Sequence, residues 1–229
     1  MNVDDPQWYR RAIFYEVLVR GFNDSSGDGT GDLRGVTEKL DYLEWLGIDC
    51  LWLLPFYESP LADGGYDISD FFSVHPDYGT VGDAAELIDE AHRRGMRVIA
   101  DMVMNHTSDQ HPWFQESRQS RTNPRADWYV WNDDNDRWAE ARVIFVDTEP
   151  SNWSWDTQRE QYYWHRFFHH QPDLNFRNPD VADAMIDVVF DEIEIPNDAV
   201  EWKTAMRQRA ISARRVLARH PWAITLMES

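Results

Sequence analysis

Short apolar segments alternate with amphipathic segments through the first hundred residues. Three apolar runs predict β-strands, the last of them buried, at residues 12–19, 50–54 and 96–103. Helical spacing of apolar residues predicts helices at 37–46 and 84–94, and Gly47 and Gly95 follow these segments as helix ends. The β-α-β-α-β order predicts parallel strands that are connected by right-handed crossovers.

The periodic pattern stops after residue 106. Pro, Asn, Asp and Trp are scattered from residue 107 to about residue 170, and this stretch is too long for a plain loop. We therefore predict a small inserted domain over residues 107–175. A further helix is predicted to begin at Asn178-Pro179-Asp180, because proline is favoured in the first turn of a helix.

Polar side chains collect near the carboxyl end of the third predicted strand. Asp101 lies within the apolar run, and Asn105 and His106 follow it. Proteins of the α/β barrel class present functional side chains at this end of their strands. The alternative is that Asp101 and Asn105 only cap the next turn.

The loop at residues 23–32 alternates oxygen-bearing side chains with glycines. Its possible side-chain ligands are Asp24, Ser26, Asp28 and Asp32. Such a loop can wrap a hard cation, as the first part of an EF-hand loop does, and calcium is the predicted ion. The terminal glutamate of an EF-hand is missing, and Ser26 is a weaker ligand than Asn or Asp. A plain Asp/Gly turn is the alternative interpretation.

Composition narrows the classes of partner. The net charge of −19 and the isoelectric point of about 4.6 argue against nucleic acid. No apolar run reaches the length of a membrane span and no secretory pattern is present, so we expect a soluble, cytoplasmic protein without membrane contact. The single cysteine, Cys50, excludes an internal disulfide and is expected to be a buried thiol. Aromatic residues make up 14% of the chain, and many lie in acidic loops that suit sugar rings. The alternative is that most of the tryptophans form the core of a small irregular domain.

Five motifs follow one another along residues 6–189. They are Phe14-Tyr15-Glu16, Asp24 to Asp32 with Leu33-Arg34-Gly35, Gly65 to Phe71, Asp101 to His106, and Gln171 to Asn175. Their order and spacing resemble glycoside hydrolase family 13, the α-amylase superfamily, in which the trehalose synthases come nearest and the oligo-1,6-glucosidases next. The resemblance implies an α/β fold, namely the first three β/α units of a (β/α)8 TIM barrel. It places these units at 1–106, an inserted domain B at 107–175 and a return helix at 176–189.

The resemblance also implies roles for residues at matching positions. Tyr66 would stack on the sugar in subsite −1, Asp67 would accept its hydroxyls, and His106 would hydrogen-bond the same sugar. Asp101 would hold the strand end. The implied calcium ligands are, in the first loop, Asp24, Ser26, Asp28, Thr30 through its carbonyl and Asp32, and, for a second ion between barrel and domain B, Asn105 and Asp173.

The catalytic motifs of that family are missing from the sequence. Its retaining mechanism needs a nucleophile and a general acid about 5 Å apart. The family's nucleophile lies in a Gly-Phe-Arg-x-Asp pattern, and neither this pattern nor those of the acid Glu and the third Asp occurs here. We therefore expect a truncated, trehalose-synthase-like protein that is inactive as this chain, with an oligo-1,6-glucosidase-like or α-glucosidase-like hydrolase as the alternative. The implied ligands are maltose, trehalose or related α-glucosides, and self-association through open barrel edges or the C-terminal helix is expected.

Residues 190–229 differ in character from the rest of the chain. They carry six acidic and six basic residues, so the net charge of −19 lies entirely in residues 1–189. An apolar stripe predicts an amphipathic helix through Trp202, Met206, Ala210, Ala213 and Leu217. The predicted helix ends at Arg219-His220-Pro221-Trp222. This all-α segment resembles part of the ligand-binding domain of TetR-like regulators, so a ligand-binding regulator is a further alternative for the function. An ordinary amphipathic helix is the simpler interpretation.

Overall fold

The computed structural model describes residues 7–191 of the 229-residue chain, with side chains described to residue 188. These residues fall into two units that divide between Asp173 and Leu174, and each unit is described by itself. The helix predicted in the tail and its TetR-like interpretation lie outside the described residues.

The first unit contains short strands and helices in mixed order. Its strands are β1 (Phe14–Val17), β2 (Cys50–Leu53), β3 (Tyr57–Glu58), β4 (Asp70–Val74), β5 (Arg97–Ala100), β6 (Trp131–Asn132), β7 (Trp153–Asp156) and β8 (Gln161–Trp164). Its α-helices are α1 (Val19–Phe22), α2 (Leu33–Glu38), α3 (Leu40–Leu46), α4 (Val81–Arg93) and α5 (Pro112–Ser117). Single 3-10 turns occur at Trp8–Arg10 and Pro76–Tyr78.

Strands β1, β2 and β5 form a parallel sheet in that order. Phe14 lies opposite Cys50, and Cys50 lies opposite Arg97. The predicted parallel arrangement of the three strands is therefore confirmed. Cys50 is fully buried as expected, and burial raises the pKa of its thiol to about 11.

The prediction of a buried strand at residues 96–103 is wrong in two respects. The strand ends at Ala100, so Asp101 follows it rather than lying inside it. Ile99 and Ala100 are exposed, because β5 forms one edge of the sheet and has a single strand neighbour among the described residues. An apolar run does not reveal whether its strand lies at a sheet edge.

The predicted helix at 37–46 is divided into α2 and α3. Helical geometry is interrupted at Lys39, whose φ is −99° and ψ is 4°. Gly47 adopts the left-handed conformation at the end of α3, which confirms the predicted helix stop. Helix α4 begins three residues before the predicted position, because Thr80 and Asp83 form a reciprocal capping box at its start.

The core of the first unit lies between the parallel sheet and its helices. Its fully buried side chains include Val17 and Leu51 from the sheet, and Leu33, Val36, Leu40, Leu43 and Leu87 from the helices. Burial of apolar area contributes about 25 cal/mol per Å², so this cluster is the main source of stability for the β-α-β-α-β arrangement of the first unit. The carboxyl ends of the strands are thereby held in fixed positions.

The segment predicted as an insertion has strands of its own. Strands β6, β8 and β7 form an antiparallel sheet in that order, separate from the parallel sheet. The boundaries predicted for domain B remain a prediction. No helix in the described part of the chain is both long and apolar enough to cross a membrane.

The second unit contains helix α6, at Pro179–Asp191, which starts at the predicted proline. The Asn178 side chain accepts a hydrogen bond from the Asp180 amide at 2.9 Å and so closes the start of the helix. Val181, Met185 and Val188 are buried, and their spacing places them on one face of the helix.

Candidate functional site

Asp101 connects a strand end to the loop after β3. Its amide donates to the Leu53 carbonyl at 2.8 Å, which fixes residue 101 beside the carboxyl end of β2. Its carboxylate accepts a hydrogen bond from the Tyr66 hydroxyl at 2.9 Å. Burial and the Asp101 charge raise the pKa of Tyr66 to about 12, so the phenol keeps its proton at neutral pH.

Two glycines give the chain before Tyr66 its path. Gly64 has φ 86° and Gly65 has φ 116°, both in the region that favours glycine. A Cβ on Gly65 would also lie 2.9 Å from the Pro55 carbonyl oxygen. The Gly-Gly pair thus allows the backbone to pass close to residue 55 and to place Tyr66 over the strand ends.

His106 lies directly behind the same loop. It is 3% exposed, and its Nε2 is 3.1 Å from the Tyr66 carbonyl oxygen. Its Nδ1 is 3.3 Å from the Asn105 side-chain amide, and its ring meets Phe167 edge-on with centroids 5.3 Å apart. Burial lowers the pKa of His106 to about 4, so the imidazole is neutral at pH 7. The structure therefore brings Tyr66, Asp101 and His106 together.

Asp67 is placed inside the loop rather than at its surface. It is 1% exposed, and its carboxylate accepts hydrogen bonds from the Ser59 hydroxyl at 2.7 Å and the Ala62 amide at 3.1 Å. Burial and the neighbouring Asp63 carboxyl raise the pKa of Asp67 to about 6. These contacts make Asp67 an organiser of the loop that carries Tyr66.

Asp63 is a residue that the sequence reasoning missed. Its Oδ1 accepts a hydrogen bond from the Asp67 amide at 3.1 Å, and its Oδ2 accepts one from the Gln171 side chain. His170 Nε2 lies 3.6 Å from the same Oδ2. Burial raises the pKa of Asp63, but contacts with neighbours, His170 foremost, outweigh it and lower the pKa overall. The partners at 170 and 171 are more than a hundred residues away in sequence, so no local pattern could reveal them.

The residues predicted for a second calcium ion also meet in the structure. His106 and Asp173 form an isolated β-bridge, and a hydrogen bond from Asn105 reaches the Asp173 carboxyl. Asp173 Oδ1 also accepts the Arg166 amide at 2.9 Å. Burial raises the pKa of Asp173 to about 7, because the ionised form is poorly solvated there.

The first loop is closed by its own carboxylates. Asp24 accepts hydrogen bonds from the amides of Gly27 and Gly29, each at 2.7 Å. Asp32 accepts the Ser25 hydroxyl at 2.7 Å and caps α2. The amides of Gly29 and Gly27 lower the pKa of Asp24, so its carboxylate is ionised at neutral pH.

The fit of this loop to a calcium ion is partial. All five predicted ligands offer oxygen, the donor that calcium prefers, and an oxygen that accepts one hydrogen bond keeps a second lone-pair direction. Within the described residues, however, the one group of three ligand side chains within 4.8 Å of one another is Asp63, Asp67 and His170. The donor chemistry therefore fits calcium, whereas the three aspartates of the loop do not converge.

Comparisons with known proteins extend these observations. The alpha amylase catalytic domain family matches residues 16–194. "Trehalose synthase/amylase TreS" of Mycolicibacterium smegmatis is 65% identical over 185 residues, which cover 81% of this chain and 31% of that protein. The trehalose synthase of Thermus thermophilus is 52% identical over 186 residues, covering 81% of this chain and 19% of that protein. The chain thus spans about a third or less of the length of these relatives.

A solved structure gives the same result for the fold. An isomaltulose synthase variant from Erwinia rhapontici NX5, in complex with its natural substrate sucrose, matches with a TM-score of 0.75 and 44% identity. The match covers 82% of this chain and 34% of that chain. The predicted α/β fold class, a partial TIM barrel, is therefore confirmed. The chain belongs to the alpha-amylase catalytic-domain family, glycoside hydrolase family 13.

Proposed function

We propose that this chain supplies one wall of an α-glucoside-binding site of the trehalose-synthase type, and that the 229-residue chain alone does not turn over maltose. The observation that carries the proposal is the grouping of Tyr66, Asp101 and His106 at the carboxyl ends of parallel strands. Trehalose synthases with 52–65% identity support this type over the oligo-1,6-glucosidases, whose identity is 44–45%. The TetR-like alternative stays a prediction because its residues are not described.

Each side chain of this wall has a distinct chemical task. The Tyr66 ring offers an apolar face to a sugar ring. Asp101 holds the Tyr66 ring in place by accepting a hydrogen bond from the Tyr66 hydroxyl. Asp67 is buried, and its carboxylate accepts hydrogen bonds from Ser59 and Ala62. We therefore assign to Asp63, rather than to Asp67, the carboxylate oxygen that accepts hydrogen bonds from sugar hydroxyls. A neutral His106 supports the loop from behind without placing a positive charge next to a neutral ligand.

Turnover needs groups that this set does not provide. A retaining reaction requires a carboxylate nucleophile and a protonated carboxyl on opposite sides of the glycosidic bond. The Asp67 carboxylate accepts hydrogen bonds within its own loop. The Asp173 carboxyl accepts hydrogen bonds from the Arg166 amide and from Asn105. We therefore assign binding to the described residues and no bond-breaking step to them.

Maltose binding tests the proposed wall. In saturation-transfer-difference NMR, we expect weak transfer from the wild-type chain to maltose ring protons, and loss of most of that transfer in Tyr66→Ala. Tyr9→Ala removes a tyrosine that is 52% exposed outside the site and serves as the matched control. Equal transfer to maltose from Tyr66→Ala and from wild type would show that the ring is not a sugar platform.

We also propose that the loop at 24–32 binds calcium. Calcium at 100 times its dissociation constant is expected to raise the free energy of unfolding by about 2.7 kcal/mol, and EDTA to remove the gain. Asp28→Asn should lose this increment, whereas the exposed control Asp77→Asn should keep it. A melting temperature that is the same in calcium and in EDTA would exclude the site.

A further inference from the structure

Helix α3 carries two exposed aromatic rings that the proposed function does not use. Trp45 is 78% exposed, more than any other tryptophan in residues 7–191, and Tyr42 is 51% exposed. Their ring centroids are 6.0 Å apart and their planes meet at 31°, so the two rings form one shallow platform. Tryptophan is highly buried on average, and a group of exposed large apolar side chains marks an interaction surface.

The platform lies away from the wall that contains Tyr66. Trp45 is in the last turn of α3, which ends at Leu46, and β2 begins at Cys50. The platform is therefore near the amino end of β2, whereas Asp101 is hydrogen-bonded beside the carboxyl end of the same strand. A ligand on α3 would thus bind independently of a ligand at Tyr66.

A carboxylate beside the platform is held in position. Asp41 precedes Trp45 by four residues, so the two side chains are neighbours on the helix surface. Asp41 Oδ1 accepts a hydrogen bond from Arg94 Nε at 2.8 Å, and Arg94 Nη1 donates to the carbonyl and the carboxylate of Glu90. The Asp41 side chain is still 83% exposed in this ion pair, and a carboxylate has about four lone-pair sites. Carboxylate oxygen next to the rings therefore remains available to hydroxyl donors.

The chemistry of this surface favours a sugar over a protein partner. Two aromatic side chains supply at most about 500 Å² of contact area, whereas a stable protein interface takes about 800 Å² from each partner. Asp41 and Glu44 are exposed on the same helix, and they would repel a second copy of a chain whose net charge is −19. A glucose ring is neutral, has an apolar face that stacks on aromatic rings, and carries hydroxyls that donate to a carboxylate.

We propose that Trp45, Tyr42 and Asp41 form a second carbohydrate-binding surface, which takes α-linked glucose oligomers. One glucose ring lies on Trp45 and donates a hydroxyl hydrogen bond to Asp41, and Tyr42 contacts the next ring of the oligomer. Arg94 is a positioning residue, because it acts through Asp41. The choice of α-linked glucose rests on the proposed function, whereas the platform itself does not involve Tyr66.

The test is a titration of the full ¹⁵N-labelled chain with maltoheptaose, followed through the indole N–H signals of its tryptophans by NMR. Trp45→Ala identifies the Trp45 signal, because that signal is lost in the variant. We expect the Trp45 signal to move with a dissociation constant in the millimolar range, in wild type and equally in Tyr66→Ala. Asp41→Asn should bind about tenfold more weakly, whereas Asp89→Asn, which replaces an exposed acid of α4, should bind as wild type does.

Three results would overturn the surface. The first is a Trp45 signal that does not move at the solubility limit of maltoheptaose, and the second is a folded Asp41→Asn variant that binds as tightly as wild type. The third is loss of the Trp45 shift in Tyr66→Ala, because the shift would then originate at the other site. If Asp41→Asn does not fold, Arg94→Gln replaces it with the same expected loss. A shift that persists in Tyr66→Ala supports the surface on α3 whether or not the wall at Tyr66 binds maltose.

Discussion

Replacing Gly35 with alanine is expected to lower the free energy of unfolding by about 3 kcal/mol, the upper part of the usual range for overpacking. Gly35 lies in α2, and a Cβ there would stand 1.9 Å from the Asn23 carbonyl oxygen. That contact is with backbone, which cannot rotate away as a side chain could. Any relief would also move the Gly35 amide from Asp32, which accepts its hydrogen bond at 2.6 Å.

Gly82→Ala provides the matched control. Gly82 lies in α4, where a Cβ would come no closer than 3.5 Å to the Thr80 hydroxyl. Alanine at this position is expected to raise the free energy of unfolding by about 0.5–1 kcal/mol, because glycine is the poorer helix former. Urea denaturation of both variants is the measurement. Equal effects of the two substitutions would show that the close approach of α2 to residue 23 does not exist.

The second large effect concerns His106 and pH. The difference in unfolding free energy between wild type and His106→Gln should change by about 3 kcal/mol between pH 7 and pH 4. Burial lowers the pKa of His106 from 6.5 to about 4, so the unfolded chain takes up this proton first as the pH falls. The free energy of unfolding of wild type therefore falls between pH 6.5 and pH 4 because of His106. The variant has no imidazole at this position, so this contribution to the pH dependence is absent from it.

The carboxyl groups around His106 act in the opposite direction. Burial raises the pKa values of Asp67 and Asp173 to about 6 and about 7, so the folded chain binds these protons first and gains stability as the pH falls. Both groups are present in wild type and in His106→Gln, and their effects largely cancel in the difference. Urea denaturation at several pH values, with His92→Gln as a surface control, gives that difference. A difference that does not vary with pH would mean that His106 is not buried as a neutral ring.

Local features of the fold could be predicted from the sequence. The three parallel strands follow from short apolar runs, and Gly47 ends α3 because a left-handed residue is needed there. The break at Lys39 between α2 and α3 was missed, since apolar spacing continues through it. Spacing reports which face of a segment is apolar and gives no information on whether the backbone stays helical.

The candidate site was predictable where its residues follow a strand. Asp101 and His106 were found because polar residues at a strand end are unusual among apolar neighbours. Asp63 and His170 were missed, because their proximity depends on how the segment after β5 returns to the Tyr66 loop. For Asp67, the residue type indicated a polar role, but only burial shows that its oxygens are directed into the loop.

Incubation of the purified chain with maltose, followed by ¹H NMR of the products, is the most direct measurement. Host enzymes are excluded by a parallel preparation of Tyr66→Ala, which should behave identically in purification. We expect neither trehalose nor glucose to form, because residues 7–191 offer no nucleophile–acid pair. Formation of either sugar by wild type and not by Tyr66→Ala would contradict the proposal, and would mean that this chain supplies catalytic carboxyl groups of its own.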